Sequence, residues 1–277
     1  MNAPGGGLHG VKEQLIARAM TKPDRARPHK GGHAGKRAPL LLYGRHPVLA
    51  ALANPRRRCL KLFASARGLA TLDPRVLDAL PAIETCEQRA LDRMVGDVPH
   101  QGLVLAVAPL ASPDLAALIP PREAPSLILM LDRVEDPHNV GAILRSAAAF
   151  GADLVIGQDR HSPPETGALA RAASGALDIV PWVRTANLSA TLEMLAEHGY
   201  WSIGLDGSAQ KRIGELDLGQ RLVLVLGAEG HGLRPLVARH CDMRARIALR
   251  GRSPLLDSLN VSNAAAVALH ALTAARG

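Results

Sequence analysis

Leu222-Val-Leu-Val-Leu-Gly-Ala-Glu-Gly-His-Gly-Leu233 decides the fold. Five apolar residues without a charge read as a strand buried on both faces, as in parallel sheets. The run ends at Gly227 and opens into a loop with glycine at 227, 230 and 232, and Arg234–His240 then reads as a short helix. Bare backbone between a buried strand and a helix lets a ligand approach N–H groups closely. Glu229 lies inside that loop, where packing gives a carboxylate no role. A tight turn that binds nothing accounts for the glycines equally well.

The same alternation extends to either side of this stretch. Strands are expected at 127–131, 154–157, 179–183, 201–205, 222–226 and 246–249, and helices at 137–150, 165–175, 188–198, 233–240 and 259–275. Repeated strand–helix units imply an α/β parallel sheet with helices on both faces. Asp136-Pro137 offers an N-cap with proline in the first helical position, and Asn187 and Ser258 are further N-cap candidates. Upstream, 40–109 reads as a smaller α/β domain, with strands at 40–43, 60–64, 82–86 and 102–107 and helices at 46–53 and 87–95. Its basic cluster, Arg56-Arg-Arg58 with Lys61, fits either a solvated loop or a contact with RNA phosphate. Residues 110–124 hold Pro113, Pro120 and Pro121 and read as an interdomain linker.

The chain has 277 residues, of which 47% are hydrophobic, enough for one or two cores. No apolar run approaches the roughly 18 residues of a membrane span, and no signal-peptide pattern is present. Cys59, Cys86 and Cys241 are odd in number and form no Cys-x-x-Cys pair. A reducing cytoplasm is therefore expected. The eleven histidines form no metal-ligand spacing, so no metal is expected. Of the net +8, residues 1–39 carry +6, on Lys12, Arg18, Lys22, Arg25, Arg27, Lys30, Lys36 and Arg37 against Glu13 and Asp24. Rich in Gly and Pro, this segment reads as a disordered basic tail, of a kind that serves either nucleic-acid binding or solubility.

Two further motifs carry polar residues without a packing reason. In Leu131-Asp-Arg-Val-Glu-Asp-Pro-His-Asn-Val-Gly-Ala-Ile-Leu-Arg-Ser-Ala147 a buried strand ends and a helix begins, with Asn139 in its first turn and Arg145 six residues on. Helical side chains lean toward the N-terminus, so a long Arg can reach back toward the strand end. A capping residue and a surface ion-pair partner are the alternatives. Ser258-Leu-Asn-Val-Ser-Asn-Ala-Ala-Ala-Val-Ala-Leu-His270 opens the last helix with more polar groups than a cap requires, and then alanines that permit close packing. The glycine loop lacks the Gly-Lys-Ser/Thr ending of a P-loop. It also lacks the spacing and the downstream acidic residue of a dinucleotide fingerprint. A nicotinamide-dependent oxidoreductase is therefore the weaker reading.

Taken together, Asn139-Val-Gly-Ala-Ile-Leu-Arg145, Gly227-Ala-Glu-Gly-His-Gly232 and Ser258-Leu-Asn-Val-Ser262 resemble the SpoU (TrmH-type) RNA ribose 2′-O-methyltransferases of the SPOUT superfamily. The resemblance covers 125–277. It extends to 40–108 through Leu42-Tyr-Gly-Arg-His-Pro-Val48 and Val98-Pro-His-Gln-Gly102, which resemble the ribosomal-protein-like substrate-binding domain of the ribosomal-RNA branch. It implies a C-terminal trefoil knot, a homodimer, and S-adenosyl-L-methionine as methyl donor without a metal. It further implies methylation of a guanosine ribose in large-subunit (23S) ribosomal RNA. Transfer RNA as substrate, or a ribosome-assembly protein that binds RNA without catalysis, are the alternatives. Catalytic positions carried over are Asn139, Arg145, Glu229, Ser258 and Asn260, and donor contacts through backbone fall to Gly227, Ile247 and Leu259. Ser146 stands where Thr is common, and 250–257 is longer and more charged than the family pattern. The tail is extra, and its removal is expected to weaken RNA binding and flatten its salt dependence.

Overall fold

The computed structural model describes residues 39–78, 80, 82–249, 251 and 258–274. The basic tail, apart from Pro39, and all of the charged stretch 250–257 except Gly251 lie outside the described residues. The chain divides into two compact units, Met1–Leu110 and Ala111–Gly277.

The first unit is a four-stranded mixed sheet, in the order β1-β4-β2-β3. Its strands are β1 (Leu40–Tyr43), β2 (Cys59–Ala64), β3 (Ile83–Thr85) and β4 (Leu103–Val107), with helices α1 (Arg45–Ala53), α2 (Ala66–Leu69), α3 (Pro74–Asp78) and α4 (Gln88–Val95). β4 runs antiparallel to both β1 and β2, and every one of its residues is buried. The short helices α2 and α3 were not expected, since four or five residues show no period. Backbone closeness explains the turn before β4. A Cβ on Gly68 would lie 2.2 Å from the Gly102 carbonyl oxygen, and Gly102 itself has φ +76°. The basic cluster splits on folding. Arg57 is buried and donates to the Ala108 carbonyl at 3.2 Å. Lys61 pairs with Glu84, holding that carboxyl below the usual carboxylate range. Arg56 and Arg58 are exposed, and neither side chain makes an ion pair among the described residues.

The second unit is a six-stranded sheet, in the order β10-β8-β9-β5-β6-β7, and every pairing is parallel. Strands β5 (Ser126–Asp132), β6 (Leu154–Gln158), β7 (Trp182–Thr185), β8 (Trp201–Leu205), β9 (Arg221–Gly227) and β10 (Met243–Ala245) alternate with helices. These are α5 (Pro137–Ala149), α6 (Gly167–Ala172), α7 (Leu188–Glu197), α8 (Pro235–His240) and α9 (Val261–Ala274). Ile128 and Met130 of β5 and Val223 and Val225 of β9 pack against Leu188, Leu192 and Leu195 of α7 and Val237 of α8. The alternate residues Leu127, Leu129 and Leu131 are buried too and point to the other face. There α5 packs against α6 and α9. Coverage of both faces explains the unbroken apolar runs. At the α5–α6 contact a Cβ on Gly141 would meet that of Ala172 at 2.4 Å, so only glycine permits this approach.

Helix starts follow from their caps. Asp136 accepts from the His138 N–H, and Asn187 accepts from Ser189 and Ala190. The last helix begins at Val261 rather than 259, because Asn260 and not Ser258 is its cap. The Asn260 Oδ1 accepts from the Ser262 N–H at 2.9 Å, the Ser262 hydroxyl at 2.6 Å and the Asn263 N–H at 3.4 Å.

Two expected strands move. The final one is Met243–Ala245, not 246–249. The Asp242 carboxylate accepts from both the N–H and the hydroxyl of Ser202, which sets the register of β10 against β8. Beyond Arg246 the chain leaves the sheet. The strand expected at 179–183 starts at Trp182, since Pro181 has no N–H to donate and Ile179 is 63% exposed after a 3₁₀ turn. The proline-rich stretch before β5 packs instead of bridging loosely. Leu115, Leu118 and Ile119 lie on the second unit's core. The Arg221 guanidinium donates to the carbonyls of Pro120, Pro121 and Ala124, and stacks 4.2 Å from the Tyr200 ring centroid. No helix among the described residues is long and apolar enough to cross a membrane.

Candidate active site

From β5 the chain proceeds outward to β6 and β7, then returns to lay β8 and β9 on the other side of β5. Such a reversal leaves a crevice outside the carboxyl ends of the strands at the switch, where α/β sheets bind ligands. Here those ends are Asp132 and Gly227, which are register partners. A cavity of about 600 Å³ opens beside them, lined in part by Arg133, Asn139, Glu229, His231, Arg234 and Val261.

The loop after β9 closes on itself. Ala228 and Gly232 exchange two backbone hydrogen bonds, of 3.1 and 2.9 Å. Gly230 and Gly232 have φ of +77° and +64°. A Cβ on Gly227 would lie 2.2–2.4 Å from backbone atoms of Gly232 and Leu233. The three glycines are therefore accounted for by the turn itself, whether or not a ligand approaches. Gly227→Ala is expected to force the turn open at a cost of about 3 kcal/mol, the upper end for overpacking. That corresponds to a thermal midpoint lower by about 6–12 °C in a unit of this size, readable by thermal denaturation.

The closed turn presents Glu229 to the start of α9. The Asn260 amide nitrogen carries two hydrogens and uses both. One goes to Glu229 Oε1, and the other to Asn139 Oδ1 at 3.0 Å. The Val261 N–H also points at Glu229 Oε1, at 3.4 Å. Residues from three motifs, up to 121 positions apart, thus form one hydrogen-bonded unit. The Asn139 Nδ2 and the Glu229 Oε2 have no partner among the described residues, and both side chains line the cavity. A free donor and a free acceptor on one wall suit a hydroxyl-bearing ligand.

The other expected positions lie elsewhere. Arg145 is exposed, lies outside the cavity wall, and makes no hydrogen bond or ion pair among the described residues. Ser258 is likewise exposed and unbonded among the described residues. Gly227, Ile247 and Leu259 do not line this cavity. The backbone N–H groups of Ile247, Leu249 and Leu259 have no acceptor among the described residues. Leu249 and Leu259 are 42% and 38% exposed.

Sequence reasoning missed a clamp under this site. Asp132 is fully buried, and its carboxylate accepts from the Arg234 Nε at 2.6 Å and the Arg234 N–H at 2.9 Å. Arg234 Nη2 donates onward to Gln158 Oε1 at 2.9 Å. The clamp fixes the far end of the glycine turn to the ends of β5 and β6. The one signal in the sequence was an aspartate closing an otherwise apolar buried strand. Cys241, close to the clamp, is no nucleophile, because burial pushes its thiol up to about 12.

Comparison with known proteins shows the family. The model of the SpoU rRNA methylase family matches residues 126–270, and that of the RNA 2′-O ribose methyltransferase substrate-binding domain matches residues 41–113. The chain is 38% identical to the 23S rRNA (guanosine-2′-O-)-methyltransferase RlmB of Pseudomonas putida, over 82% of this chain and 93% of that protein. It is 36% identical to RlmB of Coxiella burnetii, over 83% and 93%. Among solved structures, the SpoU methyltransferase AviRb of Streptomyces viridochromogenes in complex with AdoMet superposes with a TM-score of 0.72 at 21% identity, covering 96% of this chain and 98% of that one, which speaks to fold. The three motifs that meet at Asn260 and the match that spans both units have one common explanation: the chain belongs to the SpoU family of RNA methylases.

Proposed function

We propose that this protein transfers a methyl group from S-adenosyl-L-methionine to the ribose 2′-hydroxyl of a guanosine in 23S ribosomal RNA. The observation that carries the reading is the Asn260 amide joining Asn139 to Glu229 at the carboxyl ends of β5 and β9. The relatives at 36–38% identity are guanosine-2′-O-methyltransferases, and they match across both units. That coverage favours ribosomal over transfer RNA. A protein that only binds RNA would have no need of the Asn139–Asn260–Glu229 unit.

The donor supplies a methyl on a sulfonium; transfer breaks the S–CH₃ bond, leaves a thioether, forms O2′–CH₃ and releases the hydroxyl proton to solvent. Backbone groups of Gly227, Ile247 and Leu259 would hold it, and the Ile247 and Leu259 N–H groups, without an acceptor among the described residues, support this. The remaining work falls to side chains. An alcohol is a poor nucleophile until its proton is leaving. Glu229 Oε2 accepts from a ribose hydroxyl, and Asn139 Nδ2 donates to the same sugar. Ser258, two residues before the Asn260 cap, is assigned to the substrate side by the family resemblance alone. Arg145 carries a guanidinium, a fork of donors with no acceptor, so it is not the base. It grips the target's phosphate and lowers the hydroxyl pKa electrostatically.

The same reading assigns 1–39 to RNA affinity, 40–109 to RNA binding, 110–124 to the connection and 125–277 to catalysis, in the cytoplasm. It also includes a trefoil knot and a homodimer. After β10, at one edge of the sheet, the chain returns to place α9 on α5 and β9, the path a threaded segment would take. The alanine-rich α9 leaves Val267 43% exposed for a second copy.

Mapping 2′-O-methyl groups in the RNA of a deletion strain tests the reading. One guanosine of 23S RNA should lose its methyl group. Loss in transfer RNA, or of a base methyl, would overturn it.

A further inference from the structure

Among the described residues, three that are not glycine have left-handed backbone: Gln101, Arg133 and Ser174. Two have local reasons. The Gln101 Oε1 accepts from the Arg45 N–H at 2.8 Å, and Ser174 ends α6, its N–H bonded to the Arg171 carbonyl. Arg133 has φ +59° and makes no hydrogen bond or ion pair among the described residues. Its neighbours Asp132 and Val134 are 0% and 4% exposed, so the turn is imposed from both sides and throws the side chain outward. Glycine would take that backbone without strain. An arginine there is held against its conformational preference, a condition found at ligand-binding positions.

None of the charged groups around it bonds to Arg133. The cavity that it lines also carries Glu135, Asp136, Glu229 and Arg234. Glu135 bonds to His161 at 2.8 Å, Asp136 caps α5, Glu229 accepts from Asn260 through Oε1, and Arg234 is held by buried Asp132. Arg133 is thus the one guanidinium on the wall with no partner among the described residues, beside the free Asn139 amide. We propose that Arg133 holds a backbone phosphate of the RNA strand at the mouth of this cavity, setting the position of the nucleotide to be methylated. This rests on the RNA methyl-transfer reading above.

The test compares the full-length protein with Arg133→Gly and Arg133→Asn, two residues that accept left-handed backbone. A 23S RNA transcript is the substrate, assayed at several salt concentrations. In both variants KM for RNA should rise about tenfold, with the loss falling on KM rather than kcat. The slope of log Kd against log salt should shrink by about 1, one phosphate contact fewer. The Kd for S-adenosylmethionine should not move, and Arg133→Gly should melt no lower than the parent. Unchanged KM and salt slope in both variants would overturn the proposal. Equilibrium RNA binding without donor separates the two readings: if the parent transfers no methyl group, the function fails, and the salt slope still decides Arg133.

Discussion

Asn260→Asp is expected to lower kcat for methyl transfer by about 10²–10³-fold, the scale seen when one preorganised donor is removed from an active site. The substitution keeps the acceptor oxygen that caps α9, and aspartate is as good a cap as asparagine. The helix start should therefore hold. What is lost is the amide nitrogen that donates to Asn139 and Glu229 at once. A carboxylate in its place faces the Glu229 carboxylate and drives the glycine turn and α9 apart. Single-turnover rates with saturating donor and RNA, beside a melting curve, separate chemistry from folding. A kcat within about threefold of the parent would show that joining the three motifs serves packing alone.

Arg145→Ala should cost about 10³-fold in kcat/KM with no change in stability, because the side chain is exposed and partnerless among the described residues. Arg145→Lys is the sharper comparison. Lysine keeps the charge and loses the planar fork that meets two phosphate oxygens, so about 10–100-fold of the rate should go with it. If the lysine variant keeps parental turnover and RNA affinity, a bidentate grip on phosphate is the wrong account of this residue. In the structure Arg145 stands clear of the cavity, so the prediction requires the arginine to close on RNA when it binds.

Much of the second unit was legible because burial on both faces writes itself as unbroken apolar runs, as in β5 and β9. Helix starts were legible where an Asp or Asn precedes the run, at 136 and 187. β10 was not, because its three residues alternate and its register is set by Asp242 reaching Ser202 forty positions away. Asn139, Glu229 and Asn260 stood out as polar groups that packing did not explain, and they meet. The Asp132–Arg234 clamp did not stand out, since a pair 102 residues apart leaves no periodic trace. The left-handed backbone of Arg133 was equally invisible, because an arginine gives no sign of a position suited to glycine.

The most direct measurement uses purified protein, S-adenosylmethionine labelled in the methyl group, and unmodified 23S RNA. The labelled RNA is hydrolysed with alkali and the products are separated. A 2′-O-methyl group blocks cleavage at its own phosphodiester, so the label should appear in an alkali-resistant dinucleotide that yields 2′-O-methylguanosine. Label recovered on a base, or no transfer by a protein that binds the donor saturably, would contradict ribose methylation by this fold.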